Sequence, residues 1–107
     1  MASGIFGKVD LSSATTWTEI VAAPGSGVKV ATLNVANRTG AEVSVRVAVR
    51  DAAGNVTDAD CIEYDTKIPA NGVLERTAIS LNAGKNIVAY SAGADVSVSV
   101  YGIEQAV

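Results

Sequence analysis

The nine residues Glu42 to Arg50, EVSVRVAVR, constrain this chain more than any other segment. On an extended backbone Val43, Val45, Val47 and Val49 fall on one side, with Ser44, Arg46, Ala48 and Arg50 on the other. A helix would scatter those valines around its whole circumference, so the segment reads as a half-buried strand. Asp95 to Ile103 repeats the pattern, with Val96, Val98 and Val100 inward and Ser97, Ser99 and Tyr101 outward. A chain with such strands must hide one face of each against something else.

Further strands are expected at Thr16–Ala22, Val28–Ala36, Ala59–Asp65, Val73–Ile79 and Asn86–Ser91, with a short one near Lys8–Leu11. In Val28–Ala36 the alternation changes phase between Val30 and Leu33, as a β-bulge or burial of both faces would produce. Turn clusters separate these runs: Pro24-Gly25-Ser26-Gly27, Asn37-Arg38-Thr39-Gly40, Ala53-Gly54-Asn55, Pro69-Ala70-Asn71-Gly72 and Asn82-Ala83-Gly84. No stretch carries a sustained helical period, so no helix longer than about one turn is expected. About eight short strands with one apolar face each imply an all-β fold. The expected architecture is an antiparallel β-sandwich, jelly-roll or Ig-like, over residues 16–107. Residues 1–15 differ in texture, with Gly4, Gly7, Ser12 and Ser13 diluting isolated apolar residues, and read as an N-terminal arm.

Composition narrows the function. The 107 residues are 49% hydrophobic and 18% charged, which fits one folded domain and argues against disorder. Histidine is absent, removing the usual general base, metal ligand and physiological pH switch. The single cysteine, Cys61, permits neither an intrachain disulfide nor a CxxC motif and reads as a small buried hydrophobe. Eight Lys and Arg are scattered singly in a chain of net charge −3, so no nucleic-acid footprint is visible. Apolar runs are far shorter than the ~20 residues a membrane helix requires, and no membrane partner is expected. The start, MASGIFGKVD, lacks the charged and apolar regions of a secretory signal, so no export is expected.

Few constellations could carry chemistry. The acidic segment Asp51 to Asp65 contains Asp58, Asp60 and Glu63, but its spacing does not match an EF-hand Ca²⁺ loop, and no metal or other cofactor is expected. The carboxylate pairs Asp58/Asp60 and Glu63/Asp65 lack any sign of a pocket around them, and the chain reads as a non-enzyme. Gly25-Ser26-Gly27 is followed by no Gly-Lys-Ser/Thr, so it is not a phosphate loop. Asn37-Arg38-Thr39 and Asn55-Val56-Thr57 match the glycosylation pattern but read as turn residues. Trp17 shares no strand face with Ile20, so one of the two points away from the core unless both faces are covered. Ile5 and Phe6 in the arm, with Trp17, are the candidate subunit-interface residues.

Two runs carry a resemblance: Leu33 to Asp51, LNVANRTGAEVSVRVAVRD, and Ile62 to Gln105, which includes IEYDT, PANGVLERT, LNAGKNI and VSVSVYGIE. Together they resemble small β-sandwich virion structural proteins of tailed bacteriophages, of the capsid decoration or cement type. They cover the greater part of the chain and leave the N-terminal residues least matched. The resemblance implies a virion protein made in the bacterial cytoplasm, binding the major capsid protein or another virion protein. It brings no catalytic or cofactor residue. The isolated apolar residues of the arm in so small a domain point to a homo-oligomer, trimer or dimer. A tail, collar, baseplate or fibre position, with surface or carbohydrate binding, is the alternative the resemblance leaves open.

Overall fold

A computed structural model describes residues 2–11, 16–22, 27–51, 54–93 and 95–105. Eight strands lie among them: β1 (Ala2–Leu11), β2 (Thr18–Val21), β3 (Val28–Asn37), β4 (Val43–Asp51), β5 (Cys61–Ile68), β6 (Val73–Leu81), β7 (Lys85–Ser91) and β8 (Val96–Gln105). The one helical element among the described residues is a single 3₁₀ turn at Asp58–Asp60. One sheet has the order β1-β8-β3-β6 and the other β2-β7-β4-β5. The pairs β1·β8, β2·β7, β3·β6 and β4·β5 are all antiparallel. That is the pairing of a long hairpin doubled at β4–β5 and wound into two sheets, which is a jelly roll. Of the two sandwich topologies the sequence left open, this strand order selects the jelly roll.

The core lies between the sheets and follows the period-two patterns. Val43, Val45 and Val47 of β4 are buried, as are Val96, Val98 and Val100 of β8. Leu33 and Val35 of β3 and Ile87 and Ala89 of β7 meet them from the other strands. Ala48, expected to face outward, is also fully buried. It pairs with Val88, itself buried, and the 3₁₀ turn of the β4–β5 connection folds back against β4. Part of the second sheet's outer face is therefore covered by the chain itself.

Three further expectations are corrected. Residues 2–11 of the expected arm form β1, a full edge strand paired to β8, rather than a strand confined to Lys8–Leu11. Leu11 is in the core, and a Cβ on Gly7 would overlap the carbonyl oxygen of Ile20 in the other sheet. The sheets close that tightly only because position 7 has no side chain. The phase change in β3 is not a bulge in that strand, whose pairing with β8 runs unbroken from Val28 to Asn37. Val30 simply faces outward, and the bulge belongs to β6, where Thr77 and Ala78 stand opposite Thr32. Ala78 has a φ of 60°, as a bulge residue can. Two irregularities in β5 put Glu63 opposite Val47 and Cys61 opposite Ala48. Cys61 is half-buried rather than fully buried, with its thiol 3.9 Å from the Thr57 carbonyl.

Candidate functional site

The outer face of the first sheet is built in rungs by the register of its strands. Ile103 pairs with Val30, and Val30 with Ser80. One rung along, Ile5 pairs with Tyr101, and Tyr101 with Thr32. These six positions contain no charged residue. Four of them are large apolar or aromatic groups left in solvent: Ile5 is 66% exposed, Ile103 49%, Val30 47% and Tyr101 41%. The next rungs change character, with Lys8 opposite Ser99, Asn34 opposite Glu75, and Asp10 opposite Ser97. Arg38 bonds Asp10 at 2.5 Å at that end. The face therefore runs lengthwise from an apolar half to a charged half, and the two meet where the Tyr101 hydroxyl donates to the Glu75 carboxylate at 3.4 Å.

The outer face of the second sheet carries a different set. Tyr90 of β7 pairs with Arg46 of β4, and Tyr64 and Asp65 of β5 together stand opposite Arg46. The guanidinium of Arg46 lies 4.3 Å from the Tyr64 ring centre and 5.1 Å from that of Tyr90. Trp17, just before β2, continues the row with its ring 5.3 Å from Tyr90 and tilted by 46°. The side chain of Arg46 donates to both carboxylate oxygens of Asp65, at 2.7 and 3.2 Å. Asp65 adopts a φ of 51°, and this left-handed turn in the bulge is where its carboxylate meets Arg46. The result is a row of three aromatic rings and one bidentate ion pair across all four strands, the residue types enriched at interface anchors.

The Arg46 hydrogen bond holds the Asp65 carboxyl below the usual carboxylate range, and the same bond raises Arg46 above its ordinary value. A depressed folded pKa means the pair stabilises the fold above the unfolded pKa of about 3.9 and ceases to as pH falls through the depressed value. Asp65→Asn is therefore expected to flatten the acid limb of stability below about pH 4. Urea midpoints of the two proteins from neutral to acid pH check this; parallel curves would mean the pair does not form. The effect is small because both groups are solvent-accessible.

The other described carboxylates of the acidic segment do not converge, and the Asp58 side chain of the Asp58/Asp60 pair lies outside the described ones. Asp51 pairs with Lys85, Asp60 accepts from the Thr57 amide at 3.0 Å, and Glu63 reaches Arg76 at 2.6 Å. No group of three or more metal-ligating side chains stands together among the described residues. A shallow, open hollow over β1 and β8 is lined by Lys8, Val9, Asp10, Ser97, Val98 and Ser99. Those side chains offer two hydroxyls, one ammonium and one carboxylate, but no histidine to activate either hydroxyl.

The three residues singled out from sequence do not form one surface. Ile5 lies in the apolar half of the first sheet's outer face. Phe6, its neighbour, is the extra residue of a β1 bulge, packs partly against the core and lies under the Lys29 ammonium, 5.2 Å from the ring centre. Trp17 belongs to the row on the opposite sheet. Sequence reading missed Val30 and Ile103, whose apolar side chains sit at outward positions. The signals were present in the Val30 phase change and in Ile103 following Tyr101 two residues on.

No family model matches the chain, and no curated protein matches it. Two crystal structures of pentameric capsid proteins isolated from metagenomic phage sequences have a similar trace. The first is 19% identical with a TM-score of 0.46, covering 92% of this chain and 62% of its own. The second is 18% identical with a TM-score of 0.47, covering 92% of this chain and 63% of its own. This chain thus spans less than two thirds of the length of either.

Proposed function

We propose that this chain is a structural protein of a bacteriophage virion, specifically a capsid decoration protein that binds the shell and bridges its subunits. The observation that carries the reading is the placement of anchors on both outer faces of one rigid sandwich. Ile5, Val30, Tyr101 and Ile103 crown one sheet, and Trp17, Tyr90, Arg46 and Tyr64 cross the other. A molecule with contact groups on opposite sides is suited to joining two bodies, and joining needs area rather than a reactive cleft. The motifs in Leu33–Asp51 and Ile62–Gln105 support the same class, and jelly rolls include viral capsid domains among their uses. Many identical copies on one lattice would turn a weak contact into secure retention, because each linked contact raises the effective concentration for the next.

In this reading the aromatic row faces the shell. A glycan-binding role at a tail or fibre is the second reading, favoured by the exposed ring of Tyr64. The stacking of Arg46 on Tyr64 and Tyr90 speaks for the first, since it occupies ring faces that a sugar would need. The test is mass spectrometry of purified particles, followed by binding of the Arg46→Ala and Trp17→Ala proteins to particles stripped of this chain. Presence in many copies per particle and reduced occupancy of the variants are expected. Absence from particles would overturn the reading, and binding to a glycan array in place of shells would favour the second.

A further inference from the structure

We propose that the apolar half of the outer β1-β8-β3-β6 face receives a second copy of this chain, packed sheet on sheet as an isologous pair. The inference rests on the virion reading only for what would hold copies side by side, and it is tested in solution without a shell, so either can fail alone. Ile5, Tyr101, Val30 and Ile103 occupy two adjacent rungs, bordered by Thr32 and Ser80, with no charge among them. Such a face is compatible with its own copy. Two identical faces laid together over these rungs meet apolar group against apolar group, the contact by which sheets stack. A two-fold axis within these rungs, crossing the strands, sends Lys8, Asp10 and Glu75 of the two copies out at opposite ends. Centred on the other half of the face, the same axis would bring like charges together, which specific interfaces avoid.

Pairing of edges instead of faces is opposed by β1 itself. The bulge at Phe6 breaks its ladder, and Gly4 at a φ of 125° departs from ordinary strand geometry. Bulges of this kind are how natural sheets blunt their edges. Area sets the strength: two rungs of four strands offer a few hundred Å² per copy, below the ~800 Å² per partner of a standard interface. The pair is therefore expected to be weak and concentration-dependent, strengthened where copies are already held side by side.

Sedimentation velocity of the full chain, from micromolar to near-millimolar concentration, tests the proposal. The expected result is a shift from one copy to two with rising concentration. Val30→Lys and Ile103→Lys, which place like charges across the axis, should each weaken the pair at least about tenfold. Val73→Lys, at an exposed apolar position in the charged half of the same face, should leave it unchanged. Circular dichroism establishes that each variant is folded, and Val30→Thr and Ile103→Thr, gentler on strand propensity, replace any lysine variant that is not. A single copy at every concentration, an assembly of three or more, or a pair indifferent to both substitutions would overturn it. So would a pair broken by Ser3→Pro at the edge but not by Val30→Lys.

Discussion

Asn37→Asp is expected to remove most of the stability of this domain. Asn37 is buried, and its Nδ2 donates to the carbonyls of Ala41 at 2.8 Å, Ile68 at 3.2 Å and Pro69 at 3.1 Å. Its Oδ1 accepts from the amide of Thr39 at 3.0 Å and from the Thr39 hydroxyl at 2.8 Å. One side chain thus ties the β3–β4 connection to the end of β5. Backbone bonds from Asn37 to Gly72 and from Asn71 to Thr39 close the same corner. An aspartate puts a carboxylate oxygen against the three carbonyls, of which those of Ala41 and Pro69 keep a second donor in the Thr39 hydroxyl and the Gly72 amide. The cost is then the repulsion between oxygens and the desolvation of a buried charge, together several kcal/mol. A loss of roughly 4 kcal/mol or more is comparable with the ~5–15 kcal/mol that holds a whole domain. The corresponding fall in Tm is roughly 15–30 °C for a chain of this size.

The pH dependence of that variant should run opposite to the wild type's. Burial among carbonyls raises the new carboxyl above its unfolded pKa. A raised folded pKa means stability is greatest below the unfolded value and is lost as pH rises through the folded one. The Asp65 carboxyl, held low by Arg46, has the reverse sign. Thermal melts near pH 7 and pH 5, monitored by circular dichroism, check both the size and the sign. A fall in Tm of less than about 5 °C would mean that the buried amide network does not form.

Asn37 also marks the limit of what local pattern reveals. Its place in Asn37-Arg38-Thr39-Gly40 identified a turn, and a turn is there, but nothing local said that the amide would be buried against Ile68 and Pro69, more than 30 residues away. The side of each core strand was legible where one face is dry and the other wet, as in Val43–Val47 and Val96–Val100. It was not legible where the chain covers its own outer face, as over Ala48 and Val88. Nor was it legible in β5, where two bulges reset the register twice within four residues of Cys61. β1 reads as an arm in sequence because Gly4, Gly7, Ser12 and Ser13 dilute the apolar pattern of residues 1–15. Gly7 is there to let Ile20 approach, a requirement set by the other sheet. Of the apolar contact face, Ile5 was found because it stood alone in a polar segment. Val30 and Ile103 were missed because an apolar residue facing solvent looks, in sequence, like one facing the core.

That ambiguity is sharpest at Val30 and Ala31, and substitution there should give an outcome opposite to hydrophobicity. Valine is the larger apolar residue and alanine the more expendable, so composition alone would protect position 30. The register reverses this. Ala31 pairs with Gly102 and Ile79 on the inward side and is 1% exposed, while Val30 stands outward between Ile103 and Ser80. Ala31→Asp forces a carboxylate into the space between the sheets, and such a desolvated charge costs several kcal/mol. Val30→Asp leaves its carboxylate in water and forfeits only strand propensity, up to about 1 kcal/mol. The expected result is an Ala31→Asp protein that fails to fold or melts far below the wild type. The Val30→Asp protein should melt within about 5–8 °C of it while losing self-association. Equal destabilisation of both variants would show that β3 is covered on both faces, and a greater loss at Val30 would reverse the register of the strand.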